Sequence, residues 1–133
     1  MPYFSIIIPV YNRPDEVNDL LESLSKQTYK DFEVIIVEDG STVCCADAVK
    51  RYASIVDIHY YYKENEGRSI ARNYGLERAV GSYFIFFDSD CVIPEGYFEA
   101  LNAVLNRHYT DCFGGPDAVS YTHLRAHETG RNL

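Results

Sequence analysis

Two aspartates separated by one residue, Asp88 and Asp90, are the strongest chemical signal in the sequence. They directly follow the apolar run 83–87, which indicates the end of a buried strand rather than an ordinary solvated turn. Carboxylate oxygens are preferred ligands of hard divalent cations, which keep positions open for substrate phosphates. The pair therefore predicts a site for a divalent cation, Mn²⁺ or Mg²⁺, with Asp90 and Asp88 as ligands.

Two further polar clusters follow apolar runs. Glu38 and Asp39 come after the run 32–37, and the Tyr-Asn-Arg segment 11–13 comes after the run 4–8. If the strands are parallel, their carboxyl ends meet at one edge of the sheet, where ligands bind in such folds. The acidic pair after the second run has two interpretations. It belongs to a capped turn before the next helix, or it accepts hydrogen bonds from a ligand.

Two arginines, Arg68 and Arg72, lie one helical turn apart within the segment 67–79, which is predicted to be a helix. The amino-terminal end of a helix favours anions, so guanidinium groups there suit a phosphate. The alternative is pairing with surface acids such as Glu64 or Glu77.

Alternating apolar patterns predict the elements that position these residues. Strands are predicted at 4–8, 32–37, 56–62 and 83–87, with a fifth beginning at 111–113. Helices are predicted from Pro14, over 46–52, over 67–79 and from Pro94. The residues predicted to face the core from the last two helices are Ile70, Ala71, Tyr74, Ala79, Phe98, Leu101, Val104 and Leu105. This alternation predicts an α/β fold with an open, mostly parallel sheet and helices on both faces.

Composition excludes several classes of protein. At 133 residues the chain is one domain at most. Its 12 Lys and Arg against 20 Asp and Glu give a net charge of −8, so no nucleic-acid partner is predicted. The apolar runs are too short for a membrane helix, and no cationic leader predicts secretion. Four cysteines without a CxxC pair predict reduced thiols in the cytoplasm.

Four segments, in order and at matching spacing, resemble family 2 glycosyltransferases. They are Ser5-Ile-Ile-Ile-Pro-Val-Tyr-Asn12, Val37-Glu-Asp-Gly-Ser41, Asn65-x-Gly67-x-x-x-Ala71-Arg-Asn73-x-Gly75 and Phe87-Asp-Ser-Asp90. The resemblance covers about residues 3–118, the nucleotide-sugar-binding half of such enzymes. It implies a Rossmann-like GT-A fold, here incomplete at its carboxyl-terminal side. It also implies a nucleotide-diphosphate sugar donor, a divalent cation and inversion at the anomeric carbon.

The resemblance implies donor contacts for eight residues. Asp39, with Glu38 beside it, would contact the base or ribose, and relatives usually have two aspartates at these positions. The loop from Pro9 to Asn12 would line the nucleotide pocket. The donor-binding set is Pro9, Tyr11, Asn12, Glu38, Asp39, Arg68, Arg72 and Asp88.

The same resemblance assigns the diphosphate side of the site. Arg72 would lie near the base or diphosphate, and Asp88 would face the ribose or donor. Asp90 would reach the metal that bridges the phosphates. Many relatives have a further aspartate where this chain has Cys91, which weakens the case for a third carboxylate.

The end of the sequence differs in character. Residues 119–133 show no apolar face at either the helical or the strand period. They resemble translated vector or adapter sequence, so we predict a non-native or disordered tail. An ordinary polar tail is the alternative. The partial glycosyltransferase domain is then 1–118. Relatives carry their general base beyond this half, often in a Glu-Asp pair that does not follow here, so the catalytic base is unknown.

The predicted parent enzyme acts on an unknown carbohydrate or lipid-linked acceptor in polysaccharide biosynthesis. Relatives often work at the inner face of the bacterial membrane, which implies a cytoplasmic location. Three alternatives remain. One is a nucleotide-binding fragment without turnover. The second is a haloacid-dehalogenase-type phosphatase, in which Asp88 would be the nucleophile. The third is a receiver-type signalling domain. Both of the last two need a lysine that is missing after Lys63.

Overall fold

The computed structural model describes residues 3–107 and 121–125. Strands and helices alternate along the chain, as the apolar patterns predict. The strands are β1 (Phe4–Val10), β2 (Phe32–Asp39), β3 (Ile58–Lys63), β4 (Tyr83–Phe86) and β5 (Tyr121–Arg125). The helices are α1 (Pro14–Ser25), α2 (Ala46–Tyr52), α3 (Arg68–Arg78) and α4 (Tyr97–Arg107).

The strands form one open sheet in the order β3-β2-β1-β4-β5. The pairs β1–β2, β1–β4 and β2–β3 are parallel, and β5 pairs antiparallel with β4. This confirms the predicted mostly parallel sheet. The chain order reverses between β1 and β4, and a reversal of this kind is where ligands bind in open α/β sheets.

Buried side chains on the two faces of the sheet form separate clusters. Ile6, Ile8 and Ile36 belong to a cluster with residues of α1, α2 and α4, whereas Ile7 and Ile35 belong to a second cluster with Ala71 of α3. Successive residues of a strand point to opposite faces, so the β-branched run of β1 contributes to both. The helices therefore cover both faces, as predicted.

Helix α3 presents small residues to the sheet. Its buried residues are Ala71 and Gly75, one turn apart, and Ile70 is exposed, contrary to its prediction as an inward residue. A Cβ atom on Gly75 would lie 2.8 Å from Cγ2 of Ile7, so the helix backbone approaches the sheet too closely for a larger side chain. The prediction for Ile70 was wrong because apolarity alone does not reveal this close approach.

Helix α4 begins later than predicted. It starts at Tyr97 rather than Pro94, with Phe98 fully buried and Val104 exposed, contrary to its predicted inward position. The predicted strand at 111–113 lies outside the described residues. Strand β5 lies within 119–133, but strand pairing does not distinguish native from vector-encoded residues, so the tail stays a prediction. Among the helices described, none is long and apolar enough to cross a bilayer.

Replacing Gly75 by alanine is expected to destabilise the fold, because the new methyl group meets Ile7 in a closely packed layer. Alanine is intrinsically favoured over glycine in a helix by about 1 kcal/mol. We nevertheless expect the free energy of unfolding to fall by about 1–2 kcal/mol in urea denaturation. Asn73→Ala, at an exposed position of the same helix, is the control. Equal stability of the Gly75 variant and wild type would contradict the close packing.

Candidate functional site

A solvent-open cleft of about 340 Å³ lies at the carboxyl ends of β1, β2 and β4. It brings together residues from all three polar clusters that follow apolar runs in the sequence. The lining residues are Pro9, Val10, Tyr11, Arg13, Asp39, Asn65, Gly67, Arg68, Asp88 and Ser89. Five predicted donor-binding residues thus share one cleft: Pro9, Tyr11, Asp39, Arg68 and Asp88.

Asp39, at the end of β2, holds the segment that leads into α3. Its carboxylate is almost fully buried and accepts hydrogen bonds from the backbone N–H groups of Glu66 at 2.9 Å and Gly67 at 3.0 Å. The Asn65 amide donates to the Asp39 carbonyl at 3.0 Å. Gly40 follows at φ +74°, and a Cβ there would lie 2.6 Å from Cβ of Asn65. Residues 64–67 are therefore fixed against the end of β2.

Glu38 points to the opposite face of the sheet and is completely buried. Its carboxylate accepts hydrogen bonds from Ser41 Oγ at 2.5 Å, from the Cys45 backbone N–H at 2.6 Å and from Tyr60 Oη at 2.9 Å. The structure does not place Glu38 in the cleft, so the predicted contact with base or ribose has no geometric support. Its role here is to brace the turn before α2.

Burial and the Glu38 carboxylate also act on two neighbouring groups. Burial raises the pKa of Cys45, and the hydrogen bond to Glu38 raises it further. The same two causes raise the pKa of Tyr60. Both groups therefore stay protonated at neutral pH, and the Tyr60 hydroxyl donates to the buried carboxylate.

Asn12 links the loops after β1 and β2 instead of lining the cleft. It adopts a left-handed backbone conformation at φ 53°, and its side-chain oxygen accepts from the backbone N–H groups of Thr42 at 2.8 Å and Val43 at 2.9 Å. Its own N–H donates to Ser41 Oγ at 2.9 Å. Asparagine tolerates this conformation better than most residues. Of the loop residues predicted to contact the nucleotide, Pro9 and Tyr11 line the cleft and Asn12 does not.

The two arginines of α3 both face Asp88. Oδ1 of Asp88 lies 3.6 Å from Nη1 of Arg68 and 3.8 Å from Nη2 of Arg72, distances beyond hydrogen bonding. Oδ1 of Asp88 and Nε of Arg72 are buried atoms without a hydrogen-bond partner. The alternative of surface pairing is wrong for Glu77, which contacts Arg78 instead.

Asp90 is exposed in the turn that follows β4 and is not among the residues that line the cleft. The turn is closed by a hydrogen bond from the Cys91 N–H to the Asp88 carbonyl at 3.1 Å. Asp88 has a buried carboxylate oxygen with no hydrogen-bond partner, and Asp90, two residues further on, has an exposed carboxylate. Oxygen ligands of this kind fit a hard divalent cation. Asp88 and Asp90 are thus the residues that would hold one.

A second group of possible ligands lies at the opposite edge of the sheet, near the amino ends of β2 and β3. Nε2 of His59 is 3.5 Å from Oε1 of Glu33 and 3.3 Å from Oδ1 of Asp57. The sequence alone does not reveal this group, since only the β2–β3 register brings the three residues together. Glu33 already accepts from Ser5 Oγ at 2.6 Å and the Val80 N–H at 2.8 Å. The group is distinct from the cleft.

Comparisons with known proteins agree on one family. The family model "Glycosyl transferase family 2" matches residues 5–128. The glycosyltransferase GlyA of Streptococcus pneumoniae is 37% identical over 128 residues, which is 90% of this chain and 18% of GlyA. The chain spans only 12% to 44% of the length of eight similar curated relatives.

Two solved structures share the fold. TarS 1–349 of S. aureus in complex with UDP-GlcNAc superposes with a TM-score of 0.80 at 31% identity, over 86% of this chain and 34% of that one. The mannosyltransferase PcManGT of Pyrobaculum calidifontis in complex with GDP-Man and Mn²⁺ has a TM-score of 0.73 at 25% identity, over 86% and 35%.

Asp39→Asn is expected to release the segment before α3. Each carboxylate oxygen of Asp39 accepts from one backbone N–H group, and asparagine replaces one of these oxygens by an NH2 group, which cannot accept. Hydrogen bonds to charged groups contribute about 1.5–3 kcal/mol, so we expect a loss of about 2 kcal/mol in unfolding free energy. Hydrogen exchange at the amides of Glu66 and Gly67 should accelerate. Asp19→Asn removes the same charge at an exposed position of α1 and should change neither. Unchanged exchange in the Asp39 variant would refute the role of this carboxylate.

The adjacent thiols are expected to differ in reactivity. Cys44 is exposed, whereas Cys45 is buried and its raised pKa leaves little thiolate near pH 8. In a chain whose other two cysteines, Cys91 and Cys112, are replaced by serine, labelling with a disulfide reagent should lose its fast phase in Cys44→Ser and keep it in Cys45→Ser. Loss of the fast phase in Cys45→Ser alone would be the opposite of what this environment predicts.

Proposed function

The chain belongs to glycosyl transferase family 2, and we propose that it is the donor-binding half of a metal-dependent, inverting enzyme. The full protein would transfer a sugar from a nucleotide diphosphate to an acceptor hydroxyl. Family membership separates the chain from the phosphatases and receiver domains that also carry acidic residues after a strand. The proposed parent builds a polysaccharide or related glycan in the cytoplasm, on a carbohydrate or lipid-linked acceptor.

The observation that carries this proposal is the convergence of Asp39, Arg68 and Asp88 on one cleft at the reversal of strand order. Arginines suit a diphosphate because their planar N–H groups match phosphate oxygens. Asp39 keeps lone pairs available after its two backbone contacts, so it remains able to accept from a ribose hydroxyl or base N–H. Tyr11, half exposed at the cleft, offers a ring face to the base.

Asp88 and Asp90 are proposed to hold a divalent cation, Mn²⁺ or Mg²⁺. When bound, such an ion would stabilise the negative charge that develops on the departing nucleotide diphosphate. The complex of PcManGT with GDP-Man and Mn²⁺ supports this assignment. The arginines would orient the diphosphate from the α3 side, opposite the turn that carries Asp90.

The general base is proposed to lie outside this half of the enzyme. Displacement at the anomeric carbon needs a base within hydrogen-bond reach of the acceptor hydroxyl. Within the described part of the chain, Asp39 and Asp88 are the carboxylates that line the cleft, and this proposal already assigns them to the donor and to the cation. The chain alone is therefore proposed to bind a donor without turning it over. Residues 119–133 are proposed not to contribute to donor binding.

Calorimetry with UDP and with GDP, each with and without Mn²⁺, tests the proposal. A folded sample should bind at least one of them, and Mn²⁺ should tighten that binding. Asp90→Ala should remove the Mn²⁺-dependent part, whereas Asp19→Ala, on the exposed face of α1, should not.

Two results would contradict the proposal. A folded chain that binds neither nucleotide in any condition would exclude a donor site. Mn²⁺-dependent binding that survives in the Asp90→Ala variant would exclude Asp90 as a metal ligand while leaving the nucleotide site intact.

A further inference from the structure

We propose that Arg68 and Arg72 act as positioning residues that occupy Asp88 until a nucleotide diphosphate draws them away. Binding of the cation would thereby depend on binding of the diphosphate. This inference rests on the proposed function, and it concerns how that site is controlled in the absence of a donor.

The guanidinium groups of Arg68 and Arg72 are close enough to attract the Asp88 carboxylate, but they form no hydrogen bond with it. Charge-assisted hydrogen bonds between nitrogen and oxygen span about 2.7–2.9 Å. Both guanidinium groups stand well beyond this, at 3.6 Å and 3.8 Å from Oδ1 of Asp88. Oδ1 of Asp88 and Nε of Arg72 are each buried without a hydrogen-bond partner. Each group therefore has a better partner available to it: a cation for Asp88 and a phosphate oxygen for Arg72.

The two arginines differ in freedom of movement. The Arg68 side chain is 64% exposed, whereas that of Arg72 is 24% exposed and lies 5.8 Å from the centre of the Phe86 ring. Arg68 can swing into the cleft, and Arg72 is kept beside it by the contact with Phe86. Exchange of partners then needs side-chain movement alone, because Gly75 and the Asp39 contacts fix the backbone of α3 and the segment before it.

The charges account for the coupling. The two arginines balance the two carboxylates of Asp88 and Asp90, so a cation that approaches the donor-free cleft meets little net attraction. A diphosphate adds negative charge and competes for the guanidinium groups, which exposes Asp88 to the cation. Because linkage is reciprocal, the cation must then tighten diphosphate binding by the same factor.

The test measures Mn²⁺ binding to the full chain without nucleotide, from the electron paramagnetic resonance signal of free Mn²⁺. Arg72→Gln should bind Mn²⁺ more tightly than wild type, by at least about fivefold, the lower end of typical coupling between sites. The conservative Arg72→Lys should fall between the two. Arg51→Gln removes an arginine from α2, outside the cleft, and should match wild type.

Calorimetry on the same variants measures the coupling directly. The factor by which Mn²⁺ tightens UDP or GDP should fall towards one in Arg72→Gln. Adding Asp88→Asn to Arg72→Gln should abolish the gain in Mn²⁺ affinity, since the gain runs through that carboxylate. Circular dichroism confirms that each variant is folded.

The outcomes separate this inference from the proposed function. Suppose that wild type binds nucleotide with Mn²⁺, but that Arg72→Gln binds Mn²⁺ without nucleotide no better than wild type does. The exchange of Asp88 for the diphosphate as partner of the arginines is then overturned, whereas the proposed donor site stands. If wild type binds neither UDP nor GDP, both are overturned.

Discussion

The cleft depends on the carboxylate of Asp39 and its two hydrogen bonds to the backbone N–H groups of Glu66 and Gly67. These bonds join the end of β2 to the start of α3 across 27 residues of chain. They set where α3 begins, and α3 carries both arginines that face Asp88. Together with the close packing of α3 on the sheet, this anchor fixes the arginines relative to the acidic turn after β4.

The close approach of α3 to the sheet completes that arrangement. Gly75 lets the helix backbone lie against Ile7, and Ala71 fills the adjoining space. On the other face, Glu38 organises the turn before α2 through Ser41, Cys45 and Tyr60. The alternation of side chains along β2 sends the two neighbouring acids to opposite faces. Glu38 holds the turn before α2, and Asp39 holds the segment before α3 at the cleft.

Much of this arrangement is predictable from the sequence. Short apolar runs that end in acidic or polar clusters predict the strands, and a parallel sheet then leaves one edge for Asp39 and Asp88 to share. The different environments of Glu38 and Asp39 are harder to foresee. The strand period shows that they diverge, but not which face opens to the cleft.

Contacts between residues that are distant in the sequence cannot be predicted from these apolar and polar patterns. The sequence suggests a phosphate or nearby surface acids as partners of Arg68 and Arg72. It does not reveal their contact with Asp88, which is 16 residues further along the chain than Arg72. The exposure of Ile70 depends on how closely α3 approaches the sheet, which is a matter of backbone distance. Likewise, the group of Glu33, Asp57 and His59 forms only through the register of β2 and β3.

We propose above that this cleft holds a nucleotide diphosphate beside a divalent cation. The decisive measurement is a crystal structure of the chain with Mn²⁺ and whichever of UDP or GDP binds. We expect the diphosphate between the arginines of α3 and the turn after β4, with the ion held by Asp88 and Asp90. Nucleotide density elsewhere, such as in the groove between α1 and α2 that is lined by Asn18, Cys44 and Arg51, would contradict it.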